Sequence, residues 1–250
     1  MSHHIVEVKD LHFAYPDGHK ALEGVSLRIT HGERVGVVGA NGAGKSTLLL
    51  HLNGTLIPQS GTVRVGDFPL TRKTLPHVRR TVGMVFQDPD DQLFMPTVYD
   101  DVAFGPLNLG FPHEEVHDRV MKALETVGAD HLRDRPPYRL SGGEKRAVAI
   151  ATVLSMAPDI LVMDEPTSNL DPRSRRQLIR LLDTFEHTLI VATHDLDMVL
   201  DLCPRTVVLK DGHVAADGPA REMLRDEPLL HACNLEKPLV LQACPVCTRV

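Results

Sequence analysis

The segment Arg34-Val35-Gly36-Val37-Val38 runs directly into Gly39-Ala40-Asn41-Gly42-Ala43-Gly44-Lys45-Ser46. The first run is nearly all apolar, which suits a strand covered on both faces. The second fits the spacing Gly-x-x-x-x-Gly-Lys-Ser/Thr, and the residues beyond it predict a helix from Lys45 to about Asn53. Strand, glycine-rich turn and helix start, in that order, make a phosphate-binding loop. Glycines let the backbone close around an anion, so that successive N–H groups point at its oxygens. The helix N-terminus adds positive potential. Lys45 supplies a point charge to β- and γ-phosphate oxygens, and the Ser46 hydroxyl is a ligand for Mg²⁺. This loop ties the chain to a sheet of parallel strands layered with helices.

The rest of the chain agrees with that architecture. Ile5–Val8, Val25–Ile29, Val82–Phe86, Ile160–Met163 and Leu189–Ala192 read as strands, and Val207–Leu209 followed by Asp211-Gly212 reads as a hairpin. Strands that alternate with helices imply a parallel core. The stretch from about Pro89 to Ser155 is helical in pattern, with Val116, Val120, Ala123, Leu124 and Val127 on one face, and reads as an insertion. Asp171 is a predicted N-cap and Pro172 a first-turn proline, with Leu178, Leu181, Leu182 and Phe185 as the buried stripe. The last twenty or so residues read as a loosely packed tail.

Composition narrows the function. The 250 residues carry 27 Lys plus Arg against 33 Asp plus Glu, a net charge of −6. A mildly acidic chain makes a poor general nucleic-acid binder, so no nucleic-acid partner is expected. No apolar run approaches the ~18 residues that span a bilayer, and the N-terminus has no secretory pattern. Four cysteines make no disulfide framework. A cytoplasmic protein is expected, held at any membrane by something else.

Two further features carry chemistry. Ile160-Leu161-Val162-Met163 ends in Asp164-Glu165. Such a strand delivers Asp164 beside the phosphate loop, where a carboxylate can hold Mg²⁺. Glu165 follows, placed to orient and polarise an attacking water. Leu140-Ser141-Gly142-Gly143-Glu144 precedes a long helix and forms a second anion site. One nucleotide needs only one such loop per subunit, so the second loop is read as serving a nucleotide held by another copy.

With these motifs in order, the sequence from about Ile5 to Arg225 resembles the ATP-binding subunit of ABC transporters. The resemblance implies a P-loop NTPase fold: a RecA-like α/β parallel-sheet core with an antiparallel β subdomain and an inserted α-helical subdomain. It places the ATP-binding domain at about 1–230, with the core at about 1–88 and 156–230, the helical subdomain at about 89–155, and a tail at 231–250. It implies ATP and Mg²⁺, with Tyr15 stacking on adenine, residues Gly39 to Thr47 holding phosphates, and Mg²⁺ held by Ser46, Gln87 and Asp164. Glu165, His194 and Gln87 would be catalytic. Ser141, Gly142, Gly143 and Glu144 would act in trans, and Asp171, within Ser168-Asn169-Leu170-Asp171, would couple the two sites of a head-to-tail homodimer or heterodimer. Glu144 stands where the family most often has Gln, and Asn169 where a small residue is common.

The gap between Lys45 and Ser141 lacks the long coiled coil of chromosome-structuring relatives, and a single cassette does not match translation-factor relatives. Gln87-Asp88-Pro89-Asp90-Asp91-Gln92-Leu93-Phe94 is similar to a segment of energy-coupling-factor transporters, especially cobalt and nickel importers, with Asp88 in place of the usual Asn. That resemblance implies a motor at the cytoplasmic face of the membrane, with a transmembrane scaffold and a substrate-binding membrane protein as partners. A vitamin importer of the same type and a non-transport regulatory ATPase are the alternatives.

Other signals are set aside. His113-Glu114-Glu115-Val116-His117 fits the zinc-protease spacing, but it starts just after Pro112 and lacks a third ligand. Cys244-Pro245-Val246-Cys247 reads as part of a non-essential tail, with weak metal handling as the lesser reading. Arg173, Arg175, Arg176 and Arg180 read as a solvated basic face.

Overall fold

A computed structural model describes residues 4–242, so Cys244 and Cys247 lie outside the described residues. Among the described residues the strands form two sheets. The first is antiparallel and contains β1 (His4–Ala14), β2 (Lys20–Thr30), β4 (Ser60–Val65) and the short β5 (Phe68–Pro69), in the order β2-β1-β4-β5. The second contains β3 (Arg34–Val38), β6 (Val82–Val85), β7 (Ile160–Asp164), β8 (Thr188–Ala192), β9 (Arg205–Lys210) and β10 (His213–Pro219). Its order is β10-β9-β3-β8-β7-β6, parallel except for β10, which returns antiparallel beside β9. Asp211 (φ 47°) and Gly212 (φ 76°) turn that hairpin. Two successive positive φ values suit the twist of a tight hairpin, which is why Asp-Gly marks it in sequence.

The parallel strands are apolar on both faces because both faces are covered. Val35, Val37, Ile160, Val162, Ile190, Ala192, Val207 and Leu209 face the antiparallel sheet and α1 (Lys45–Leu52), which contributes Leu48, Leu49 and Leu52. Val38, Leu161, Met163, Leu189, Val191 and Val208 face the other way. There they meet α5 (Gly142–Leu154), α6 (Pro172–Asp183) and α7 (Leu196–Leu202). The period of two follows from strand geometry.

The helical insertion lies between β6 and β7 in sequence. It holds α3 (Val98–Asn108), α4 (His113–Thr126) and α5, after a shorter α2 (Leu75–Thr81) that precedes β6. Val116, Val120, Ala123 and Leu124 of α4 are buried, and Val127 packs at their edge.

The expected loose tail is corrected for residues 231–242. A last helix, α9 (Glu227–Ala232), follows the single turn α8 (Ala220–Met223), and Leu230 and Cys233 are buried in the core. The chain then crosses α7, where the Asp197 carboxylate accepts the backbone N–H groups of Leu239 (3.2 Å) and Val240 (3.0 Å). Intermittent apolar residues, Leu230, Leu235 and Leu241, carry this packing with too little periodicity to be read from sequence.

Candidate functional site

Four C-terminal strand ends converge on one edge of the parallel sheet. β3 delivers the loop Gly39–Ser46, β6 delivers Gln87, β7 delivers Asp164 and Glu165, and β8 delivers His194. Crevices at this edge are where open parallel sheets bind ligands. Asn41 to Thr47, Gln87, Glu165 and His194 line one cleft of about 420 Å³, with His19 at its rim.

The loop is shaped by glycine where no other residue fits. Gly44 has φ 101°, and a Cβ there would meet the Ala21 carbonyl at 2.5 Å. Gly44 is also the N-cap of α1. Lys45 is buried beneath the loop, its Nζ donating to the carbonyls of Gly39 (2.8 Å) and Ala40 (3.2 Å). Those bonds hold the ammonium at the floor of the cleft, 3.8 Å from Glu165 Oε1.

Glu165 is a buried carboxylate on a left-handed backbone (φ 44°). Such a conformation costs of order 1–3 kcal/mol and persists only where its surroundings enforce it. Here the Glu165 N–H donates to the Ala192 carbonyl (2.8 Å), and its own carbonyl accepts the Ser168 hydroxyl (2.8 Å). Its Oε2 accepts the Thr193 hydroxyl (3.1 Å) and the His194 backbone N–H (3.3 Å) and lies 2.8 Å from His194 Nδ1. The His194 ring itself stays 64% exposed, open to the cleft.

Asp164 is the other buried carboxylate. Burial pushes its carboxyl above the usual range; the Ser46 hydroxyl opposes this, the Glu165 charge adds to it, and Lys45 and Arg146 oppose it. Its Oδ1 is buried with no hydrogen-bond partner among the described residues. Such an atom is expensive unless something completes it. A hard cation that takes oxygen ligands would do so, with the side-chain oxygens of Asp164, Ser46 and Gln87 as ligands, and this set fits Mg²⁺. Among the described residues no group of three His, Cys, Asp or Glu forms a metal cage.

The other expected site residues lie elsewhere. Tyr15 is half-buried, its hydroxyl 3.1 Å from Thr47 Oγ1 and its ring edge-on to Phe13. Ser141 caps α5 in a reciprocal capping box with Glu144. The Ser141 N–H (2.8 Å) and hydroxyl (2.7 Å) both donate to Glu144 Oε2, which holds the Glu144 carboxyl below its usual range. Gly143 lies against α6, where a Cβ would meet Ser174 Oγ at 2.9 Å. Ser141, Gly143 and Glu144 line a second cleft of about 490 Å³, which shares no residue with the first. Asp171 is exposed and caps α6, accepting from the N–H groups of Arg173 (2.8 Å) and Ser174 (3.2 Å). His113 and His117 are exposed at the start of α4, and His117 Nδ1 lies 3.2 Å from the Tyr99 hydroxyl.

The sequence reading missed several groups. Arg146, on α5, is buried, and its guanidinium donates to the carbonyls of Phe86 (2.7 Å) and Gln87 (2.5 Å). Burial lowers its pKa, against the charges of Asp88 and Asp164. Arg175 departs from the solvated face expected of it: it is half-buried and makes a two-pronged ion pair with Asp195. Thr193, which supports Glu165, carried no signal beyond its place between a strand and His194.

The ABC transporter family profile matches residues 22–168. A protein of Geobacter sulfurreducens named as an ABC transporter ATP-binding protein is 69% identical over the whole of both chains. The energy-coupling factor transporter ATP-binding protein EcfA of Methanocaldococcus jannaschii is 47% identical over 95% of this chain and 87% of its own. The structure of cbiO1 from Clostridium perfringens, part of the ABC transporter complex cbiONQ, superposes with a TM-score of 0.81 at 40% identity, covering 93% of this chain and 95% of that one. The phosphate loop, the strand-end carboxylates and the two-sheet fold thus meet in a chain that belongs to the ABC transporter ATP-binding family and is an ATPase.

Proposed function

We propose that this chain is the ATP-hydrolysing motor of an energy-coupling-factor importer for cobalt or nickel ions. The observation that carries the motor reading is the convergence of Lys45, Glu165 and His194 in one cleft while the Ser141 loop stands apart in another. The EcfA relative and the cbiO1 structure support the importer type. The acidic segment Gln87–Phe94 supports the metal substrate. Beside Asp88, Asp90 and Asp91, Phe94 (62% exposed) stacks edge-on with the exposed Phe104, at 5.0 Å between rings. An apolar pair rimmed by acids is a surface suited to helices of a transmembrane scaffold that carry basic residues. Among the described residues no helix is long and apolar enough to cross a membrane, so such a scaffold would hold the chain at the cytoplasmic face.

In the proposed reaction water attacks the γ-phosphorus of ATP, and the bond to the bridging β–γ oxygen breaks to leave ADP and phosphate. Catalysis is positioning plus charge stabilisation. Glu165 takes the proton of the attacking water, its carboxylate aimed by Thr193 and His194. His194 uses Nδ1 on Glu165, which leaves Nε2 for the γ-phosphate. Lys45 and the loop N–H groups from Gly39 to Thr47 spread the phosphate charge, and Tyr15 supports adenine. Ser46, Asp164 and Gln87 would hold Mg²⁺, which would supply positive charge against the phosphate oxygens. Ser141, Gly142, Gly143 and Glu144 of one copy close over the nucleotide of the other, with Asp171 at the boundary between copies.

The test is uptake of labelled Ni²⁺ and Co²⁺ in cells that express the whole locus, with the native chain or Glu165→Gln. Uptake of one metal that collapses in the variant is the expected result. Assembly of the complex with no entry of either metal would remove the metal substrate and turn the test to vitamins.

A further inference from the structure

Among the described residues, the polar side-chain contact that holds the His194 ring is that of its Nδ1 with Glu165 Oε2 (2.8 Å). The ring is mostly exposed, so its aim depends on the backbone on either side of it. Upstream, Thr193 is buried and bonded to Glu165. Downstream, Asp195 is the hub of a network. Its Oδ1 accepts the Met198 N–H (3.0 Å), which starts α7, and Arg175 Nη2 (2.8 Å). Its Oδ2 accepts Arg175 Nε (2.6 Å) and the Thr167 hydroxyl (3.0 Å). Its N–H donates to Thr193 Oγ1 (3.0 Å), the same oxygen whose hydroxyl donates to Glu165. Three segments therefore meet on one carboxylate: the turn after Glu165, the second turn of α6 and the first turn of α7. Arg175 supplies the only full positive charge among these donors.

We propose that Arg175 is a positioning residue for hydrolysis, acting through Asp195 to fix the loop that aims Thr193 and His194 at Glu165. A planar guanidinium bonded to both carboxylate oxygens fixes orientation as well as charge, which a lysine ammonium cannot do. Without it Asp195 keeps its helix cap but loses its anchor to α6, and the exposed His194 ring gains freedom. Arg175 also donates its N–H to the Asp171 carbonyl (2.9 Å), so a displacement of the Asp171 loop is carried to Asp195 through one helical turn. The inference rests on the catalytic roles proposed above for Glu165 and His194.

The experiment is a double-mutant cycle on steady-state ATP hydrolysis by the full chain, with Arg175→Ala, His194→Ala and the pair. Arg175→Ala is expected to lower kcat about tenfold and leave KM for ATP within about twofold, as for lost orientation without lost binding. Alone, His194→Ala should cost about 10²-fold; in the Arg175→Ala background it should cost only about tenfold more, so that the double variant turns over about as fast as His194→Ala, because part of its aim is already lost. Arg175→Lys should recover part of kcat, and it keeps the test open if the alanine variant fails to fold. Penalties that multiply in full, or an Arg175→Lys variant with native kcat, would overturn the inference. Glu165→Gln and His194→Ala serve as controls. If both lose turnover while Arg175 is uncoupled, only the inference falls; if both keep native turnover, the site assignment falls and takes the inference with it.

Discussion

At the scale of single residues, Asp164 shows how a site trades stability for chemistry. Burial raises its carboxyl pKa in the folded chain. The protonated form is therefore favoured by folding. That contribution is fully present below the ordinary carboxylate pKa and is lost as pH rises through the raised folded value. Above that raised value, without a cation, the buried charge is a burden. Asp164→Asn should remove that burden and raise the melting temperature of the nucleotide-free chain by about 2–4 °C, equivalent to about 1 kcal/mol at this size. The same variant should lose Mg²⁺-dependent hydrolysis. Thermal unfolding without ligand checks it, and a lower melting temperature would contradict it. The legibility of the site follows the same scale. Lys45, Ser46, Asp164 and Glu165 announce themselves by spacing next to a strand. Arg175 and Arg146 do not, because their partners, Asp195 and the carbonyls of Phe86 and Gln87, become neighbours only in the fold. An arginine among other arginines on a helix reads as solvated until the carboxylate opposite it is seen.

Elements were legible where local chemistry and tertiary burial agree. β3, β7 and β8 are short apolar runs because both their faces are covered, and Asp171-Pro172 opens α6 as its capping chemistry demands. Strand ends were less legible: β1 runs to Ala14 through Asp10, whose positive φ (47°) and polar character hide a strand interrupted by bulges. Gly36 is a different case, since a glycine inside a buried strand has no local reason. The reason is α7: a Cβ on Gly36 would meet Val199 Cγ1 at 2.7 Å and Thr206 Oγ1 at 3.0 Å. The element that follows His194 packs directly on the strand that carries the phosphate loop. Gly36→Ala should push α7 away and cost about 1–3 kcal/mol through overpacking. Denaturant unfolding that leaves the midpoint unchanged would show that α7 is free to shift.

The whole molecule is organised around one sheet edge. Two layers bury the two faces of the parallel sheet, the helical insertion grows from its side, and Lys45, Ser46, Gln87, Asp164, Glu165 and His194 lie just beyond the ends of β3, β6, β7 and β8. The Ser141 loop is capped, exposed and lines a cleft that shares no residue with the one at that edge, which supports its proposed role toward a nucleotide held by another copy. A resemblance spanning nearly the whole chain made this plan readable in outline. What it could not convey is how the parts are tied: Arg146 from the helical insertion to the Gln87 backbone, Arg175 from α6 to the loop after β8, and the last described residues strapped across α7. The measurement that reaches the centre of this arrangement is ATP hydrolysis by Glu165→Gln at saturating Mg²⁺ and ATP, with nucleotide binding followed in parallel. Removal of a general base should lower turnover by about 10²–10⁴-fold while ATP binding is kept. Near-native turnover with ATP bound would contradict the assignment of Glu165 and the mechanism built on it.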